Sequence, residues 1–224
     1  MDGFGKIKSI SIQKSFGDPP QKILKGIDLE IEEGGFVALT GKSGSGKSTL
    51  LYILSGLDYP TSGQIFYGDI NIHQLDSEAI HKLRNLSVGF VFQSHYLLPE
   101  LTGLENVTMP TRKNGLHKEN EAYALHLLES FSVLHCKGKL PSQMSGGEGQ
   151  RIAIARALIQ KPKYLFADEP TGNLDSINGD KVMQIFQKIN MEEKTTVVFV
   201  THDPDYAAAA KRRIHLVDGK IADS

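Results

Sequence analysis

The chain has 224 residues, with 25 lysines and arginines against 26 aspartates and glutamates for a formal net charge of −1. That length suits one large α/β domain with a substantial core, and the balance shows none of the basic excess expected of a nucleic-acid binder, so no nucleic acid partner is expected. One cysteine, Cys136, excludes an intrachain disulfide and a multi-cysteine zinc site, residues 1–6 carry no apolar signal segment, and no run reaches the roughly 18–20 apolar residues of a membrane span, so a soluble, cytoplasmic chain is expected that meets a membrane only through a partner.

In chain order, Ile7–Phe16 reads as a strand with partial alternation at Ile10 and Ile12, ending at the turn Gly17-Asp18-Pro19-Pro20. Ile27, Leu29 and Ile31 alternate with Asp28, Glu30 and Glu32, the period of a half-buried antiparallel strand. After Glu33-Gly34-Gly35, the apolar run Phe36–Thr40 predicts a short buried strand. It leads directly into Gly41-Lys42-Ser43-Gly44-Ser45-Gly46-Lys47-Ser48-Thr49, which fits G-x-x-x-x-G-K-[ST], and residues 50–54 continue as a helix. Strand, glycine-rich loop and helix form a setting in which successive backbone N–H groups converge on a phosphate, helped by the partial positive charge of a helix N-terminus. Lys47 is then placed for the β- and γ-phosphates and the Ser48 hydroxyl for Mg²⁺.

Pro60-Thr61-Ser62-Gly63 turns into short strands near 64–67 and 69–72, so a mostly antiparallel layer is expected beside the nucleotide core. Residues 76–85 predict a helix capped by Asp76 or Ser77, and 88–92 a buried strand ending at Gln93. From 94 to 143 Pro/Gly breaks mix with helical periodicity, clearest at 120–131. This stretch and the helix after it are expected to form a helical subdomain at roughly 94–160 within one domain, 1–224. That next helix, 145–160, opens with the capping box Ser145-x-x-Glu148. Gly146 and Gly147 behind the cap leave bare N–H groups, a second anion-binding helix end.

Residues 164–167 are a continuous apolar strand closing on Asp168-Glu169. The first carboxylate there can hold the Mg²⁺ shell and the second can polarise an attacking water. Residues 180–189 read as a helix, 195–200 as a β-branched strand ending at Thr201-His202, and 203–211 as a short helix. Residues 214–217 and 220–221 close the chain as a hairpin over Asp218-Gly219. The alternation predicts a mainly parallel sheet covered on both faces. Two phosphate-binding helix ends are hard to explain with one nucleotide, and make sense if two copies face each other.

The order of the phosphate loop, Phe92-Gln93, Ser145-Gly146-Gly147-Glu148, Asp168-Glu169, Asn173-Leu174-Asp175 and His202 resembles the ATP-binding cassette (ABC) ATPase family over almost the whole chain. The resemblance implies an α/β P-loop NTPase with a RecA-like core, an antiparallel β-subdomain and a helical subdomain. It further implies ATP and Mg²⁺ as cofactors, and an ATP-dependent, head-to-tail homodimer. Position by position, Gln93 is similar to the family's Q-loop glutamine at the metal, beside Ser48 and Asp168. Ser145, Gly146, Gly147 and Glu148 are similar to the signature that meets the opposite subunit's ATP. Glu169 is similar to the catalytic base, His202 to the switch histidine that acts with it and Lys47, and Asp175 to the D-loop aspartate. Phe16 stands where a tyrosine usually stacks on adenine, so stacking is expected to persist. Glu148 replaces the more frequent glutamine, and Gly149 stands where glutamine or arginine is usual. A glycine in that first turn weakens a helix by up to about 1 kcal/mol relative to alanine.

Local stretches such as Gly56-Leu57-Asp58, Glu105-Asn106-Val107 and 169–175 resemble the group of lipoprotein-releasing, MacB-type and FtsE-type ATPases. Residues 92–102 with Met109-Pro110 are most similar to the lipoprotein-releasing members. This implies a peripheral, ATP-hydrolysing subunit on the cytoplasmic face of the inner membrane, coupled to separate transmembrane permease subunits. Cell-wall regulation and efflux are the alternatives. Residues 94–102, rich in apolar and aromatic side chains, are expected to form a groove for a short helix of the membrane subunit.

Overall fold

The computed structural model describes residues 5–114 and 120–222, so most of the N-terminal segment read above lies outside the described residues. The chain runs β1 (Ile7–Phe16), β2 (Gln21–Ile31), β3 (Phe36–Thr40), α1 (Lys47–Leu54), β4 (Ser62–Tyr67), β5 (Ile70–Asn71), α2 (Ser77–Leu86) and β6 (Val88–Val91). It continues through α3 (Gly103–Thr108), α4 (Glu121–Ser130), α5 (Gly146–Leu158), β7 (Tyr164–Asp168), α6 (Ser176–Glu192), β8 (Thr196–Val200), α7 (Pro204–Ala208), β9 (Arg212–Val217) and β10 (Lys220–Ala222).

Two sheets result. One is antiparallel with order β2-β1-β4-β5, and the other has order β10-β9-β3-β8-β7-β6. In the second, β9, β3, β8, β7 and β6 are all parallel, and β10 adds an antiparallel edge. Its central strands are apolar along their length because both faces are covered, as parallel sheets require. Period-two side chains then divide two cores. Phe36, Ala38, Leu165, Ala167, Val197 and Phe199 point to a core shared with α3 to α6. Val37, Leu39, Tyr164, Phe166, Val198 and Val200 point to the other, shared with α1 and the antiparallel sheet.

Parallel strands end on one edge. The register pairs Leu39 with Val200, Val200 with Asp168, and Ala167 with Val91, so the loops after β3, β8, β7 and β6 leave side by side. Ligand sites of open α/β sheets form at such carboxyl edges.

The structure departs locally from the sequence expectations. Ile10 and Ile12 do not share a face: Ile10 is 37% exposed while Ile12 is fully buried. A bulge at Ser11, with φ 49, shifts the register between them. Gly63 sits opposite because any Cβ there would lie 2.6 Å from the Ser11 carbonyl. The strand expected at 69–72 shortens to Ile70–Asn71, since the Asn71 side chain accepts from the His73 N–H at 3.1 Å and starts a 3₁₀ turn, Ile72–Gln74. Helix α6 begins four residues before the expected 180, because Asp175 caps it by accepting from the Asn178 N–H at 2.9 Å.

Candidate functional site

The loop between β3 and α1 is shaped by its glycines. Gly41 has φ 140 and a Cβ there would meet the Leu216 carbonyl at 2.3 Å, so nothing larger fits without moving β9. Gly46, at φ 100, stands at the N-cap of α1 and offers no side chain to cap it. The first N–H groups of the helix therefore face the loop's mouth without a side-chain partner, which is the arrangement that binds phosphate oxygens. Phe16, Ile23, Ser43, Gly44, Gly46, Lys47, Ser48, Thr49 and Glu169 line a cleft of about 370 Å³ there. Lys42 is exposed outside that lining. Ser45 is buried within the loop, its hydroxyl without a hydrogen-bond partner.

Lys47 is 7% exposed, and its Nζ donates to the carbonyls of Gly41 at 2.8 Å and Lys42 at 2.9 Å. The ammonium is thus held on the loop's own backbone, with Lys47 among the residues that line the cleft. The Ser48 hydroxyl donates to Asp168 Oδ1 at 2.9 Å, joining the start of α1 to the end of β7. The other carboxylate oxygen accepts from the Tyr52 hydroxyl at 2.9 Å. Burial first, then the Asp168 carboxylate, pushes the Tyr52 phenol up to about 12, so it stays a donor. Sequence reading missed Tyr52, although its position four residues after Ser48 on one helix face was a usable signal.

Glu169 stands one residue past β7 with φ 44. Gln93 Nε2 donates to its Oε2 at 3.3 Å, and His202 Nδ1 lies 3.6 Å from the same oxygen. Gln93 and His202 are both exposed. So Lys47, Ser48, Gln93, Asp168, Glu169 and His202, far apart in sequence, are gathered on one sheet edge. Phe16 flanks the cleft half exposed, with Lys14 Nζ 4.8 Å over its ring. The Ser48 hydroxyl and the Asp168 carboxylate, already in contact, offer hard oxygen donors with one negative charge, which fits Mg²⁺.

Ser145 caps α5. Its hydroxyl accepts from the Glu148 N–H at 3.3 Å and Glu148 Oε2 accepts from the Ser145 N–H at 2.7 Å, closing the predicted capping box. Glu148 Oε1 pairs with His135 Nε2, and Lys139 Nζ is 3.8 Å away. The His135 contact first, and the Ser145 N–H next, hold the Glu148 carboxyl down at about 2. Gly147 is pressed against Asn178, where a Cβ would lie 2.6 Å from its amide carbon, and Arg151 donates to the Asn178 amide oxygen at 2.9 Å. Asp175 also binds Asn178, so the two motifs share one residue that the sequence reading did not single out. Gly149 is explained by His95, whose ring would be 2.8 Å from any Cβ there.

Ser145 and Gly146 are exposed, and neither they nor Gly147 line the cleft of the phosphate loop. The two anion-binding helix ends are therefore not brought together within one chain. Elsewhere, Phe92 and Tyr96 wall two hollows of about 370 and 460 Å³, the first also lined by Met109 and Arg156 and the second by Tyr52 and Leu57. Tyr96 is 68% exposed above them.

Three comparisons accord with this geometry. The ABC transporter family model matches residues 24–172. The lipoprotein-releasing system ATP-binding protein LolD of Leptospira interrogans is 54% identical over 215 residues, 96% of this chain and 90% of its own length. LolD of Aquifex aeolicus is 49% identical over 201 residues, 89% of each chain. Among solved structures, the dimeric structure of MJ0796, a bacterial ABC transporter cassette, superposes with a TM-score of 0.88 at 40% identity and 97% coverage of both chains. A dimeric post-hydrolysis state of the same cassette bound to ADP and Pi gives 0.86 at 38% identity, again over 97% of both.

Proposed function

The chain belongs to the ABC transporter family, and on that premise we propose that it is the ATP-binding and ATP-hydrolysing subunit of a transporter that releases lipoproteins from the cytoplasmic membrane. The observation that carries this is the single sheet edge holding Lys47, Ser48, Gln93, Asp168, Glu169 and His202. The names of the LolD relatives supply the cargo class.

In this reading the nucleobase stacks on the face of Phe16 turned away from Lys14. The triphosphate lies in the loop's mouth against the free N–H groups of α1. Lys47 exchanges its two carbonyl partners for β- and γ-phosphate oxygens, a trade between hydrogen bonds that leaves the ammonium satisfied throughout. Mg²⁺ would be held by Ser48 and Asp168, with Gln93 beside them, and would neutralise charge on the phosphates. Tyr52 fixes the second Asp168 oxygen so the first faces Ser48. Glu169 accepts a proton from the attacking water. His202, aimed at the same carboxylate, positions that water toward the γ-phosphate.

The exposed Ser145 and Gly146 N–H groups complete the neighbour's site in a head-to-tail homodimer. Ile177, 68% exposed beside Asp175, is then covered by the partner copy. The hollows around Phe92 and Tyr96 take a short helix of a transmembrane permease subunit, which ties Gln93 at the nucleotide to the membrane. The subunit is accordingly peripheral, on the cytoplasmic face of the inner membrane.

The test is co-purification from detergent-solubilised membranes. The wild-type chain is expected to bring down a lipoprotein-releasing permease, and Tyr96→Glu to lose it while binding ATP normally. Recovery of a cell-wall or efflux permease instead would overturn the cargo assignment, and unchanged recovery with Tyr96→Glu would overturn the groove.

A further inference from the structure

We propose that His135, Cys136 and Glu148 form a binding site for a zinc-like divalent cation at the base of the signature cap, separate from the nucleotide's own metal. One ligand atom from each lies within 4.8 Å of the others. They come from two elements: His135 and Cys136 from the 3₁₀ turn Leu134–Cys136, and Glu148 from the first turn of α5.

The hydrogen bonding already separates the two Glu148 oxygens. Oε2 is committed to the Ser145 N–H, while Oε1 faces His135 Nε2, and the sulfur of the fully buried Cys136 lies within 4.8 Å of the other two ligand atoms. Three donors thus converge on one point while the capping box uses the remaining oxygen. Around a tetrahedral zinc ion, with metal–ligand distances of about 2.0 to 2.3 Å, donor atoms sit about 3.5 Å apart, so a movement of about 1 Å assembles the set.

Thiolate, imidazole and carboxylate together select a borderline-soft ion such as Zn²⁺ over Mg²⁺, which prefers oxygen alone. His135 is exposed, so solvent reaches the site and a water fills the fourth position. On binding, the Cys136 thiol proton passes to solvent, and the proton on His135 Nε2 gives way to the metal, leaving a neutral imidazole with its proton on Nδ1. Each is replaced by a bond to the metal, with no change in oxidation state.

The cations nearby do not block it. Lys139 is 37% exposed on a flexible stem and can turn outward, and Arg151, whose charge is felt at Glu148 and Cys136, gives its hydrogen bond to Asn178 rather than to either ligand. Because Oε2 stays on Ser145, an ion here would tie the preceding turn to the signature cap without dismantling that cap. None of the three donors lines the phosphate-loop cleft, so the site stands independently of the nucleotide reading.

Cys136 is the only cysteine in the chain, and this makes the test specific. Titration of the full chain with Co²⁺, free of nucleotide and Mg²⁺, should raise a thiolate-to-cobalt charge-transfer band that saturates at one ion per chain and is displaced by Zn²⁺. Cys136→Ser should abolish the band, and His135→Ala should weaken cobalt binding at least about tenfold. Normal ATP binding by both variants would show that they are folded. Absence of the band in the wild type, or an unchanged band and affinity in His135→Ala, would overturn the site.

Discussion

Glu169 carries a left-handed backbone conformation, φ 44, that costs a residue with a side chain on the order of 1–3 kcal/mol. Its carbonyl is held by the Gly172 N–H at 3.0 Å, and its carboxylate lies between Gln93 and His202. Glu169→Gln keeps the size and a hydrogen-bonding oxygen but removes the base. ATP affinity is expected to hold within about twofold while turnover falls at least about a hundredfold, read by single-turnover hydrolysis against nucleotide binding. Gly41→Ala meets the Leu216 carbonyl at 2.3 Å and should lower stability by about 2 kcal/mol or more, seen as a lower denaturation midpoint.

Glu148 gives the pH prediction at this same scale. Its folded-state carboxyl sits at about 2, below the ordinary 4.5, so its stabilising contribution is present above about pH 4.5 and is lost as pH falls toward 2. The stability gap between wild type and Glu148→Gln should therefore be widest near neutral pH and shrink on acidification across that window, measured by urea unfolding. A gap that stays constant with pH would contradict the depressed carboxyl. At residue scale the sequence already held the phosphate loop and the acidic pair, because their spacing is set by chemistry. Asn178 and His135 escaped it, because they matter through contacts with motifs far along the chain and belong to no motif themselves.

At the scale of elements, α5 joins the motifs. Gln150, 1% exposed, binds His95 Nδ1 at 2.7 Å and donates to the carbonyls of Phe92 at 3.3 Å and Pro170 at 2.9 Å. Those carbonyls belong to the residues next to Gln93 and Glu169. The helix bearing the signature is thereby pinned to both loops that carry Gln93 and Glu169. Gln150→Ala strands buried acceptors, at about 1–3 kcal/mol. It should also lower kcat with little change in ATP affinity, since Gln150 touches nothing in the phosphate loop. A fall in affinity with kcat intact would remove this pinning role. The capping box and the strand edges of these elements were readable from local pattern. The bulge at Ser11 was not, because a pairing register depends on the strands it meets across the fold, whereas the early start of α6 rests on the Asp175 cap, a local signal that the reading passed over.

The arrangement of the whole molecule keeps two features apart on one chain: a phosphate-loop cleft and an exposed signature cap. The two anion-binding helix ends were visible in sequence, and their separation within one chain became visible only when the sheet placed α1 and α5. If the cap of one copy completes the cleft of another, defects in the two halves must complement between chains. Lys47→Ala spoils the cleft, Ser145→Ala the cap, and each homodimer then has two spoiled sites. In a mixed dimer both defects fall on one composite site and the other is wholly wild type. Equal mixing gives about half mixed dimers, so about a quarter of wild-type sites and of wild-type hydrolysis should return, provided the sites act independently. Hydrolysis no greater than the sum of the two variants alone would mean that each chain closes its own site, and the head-to-tail assembly would fall with it.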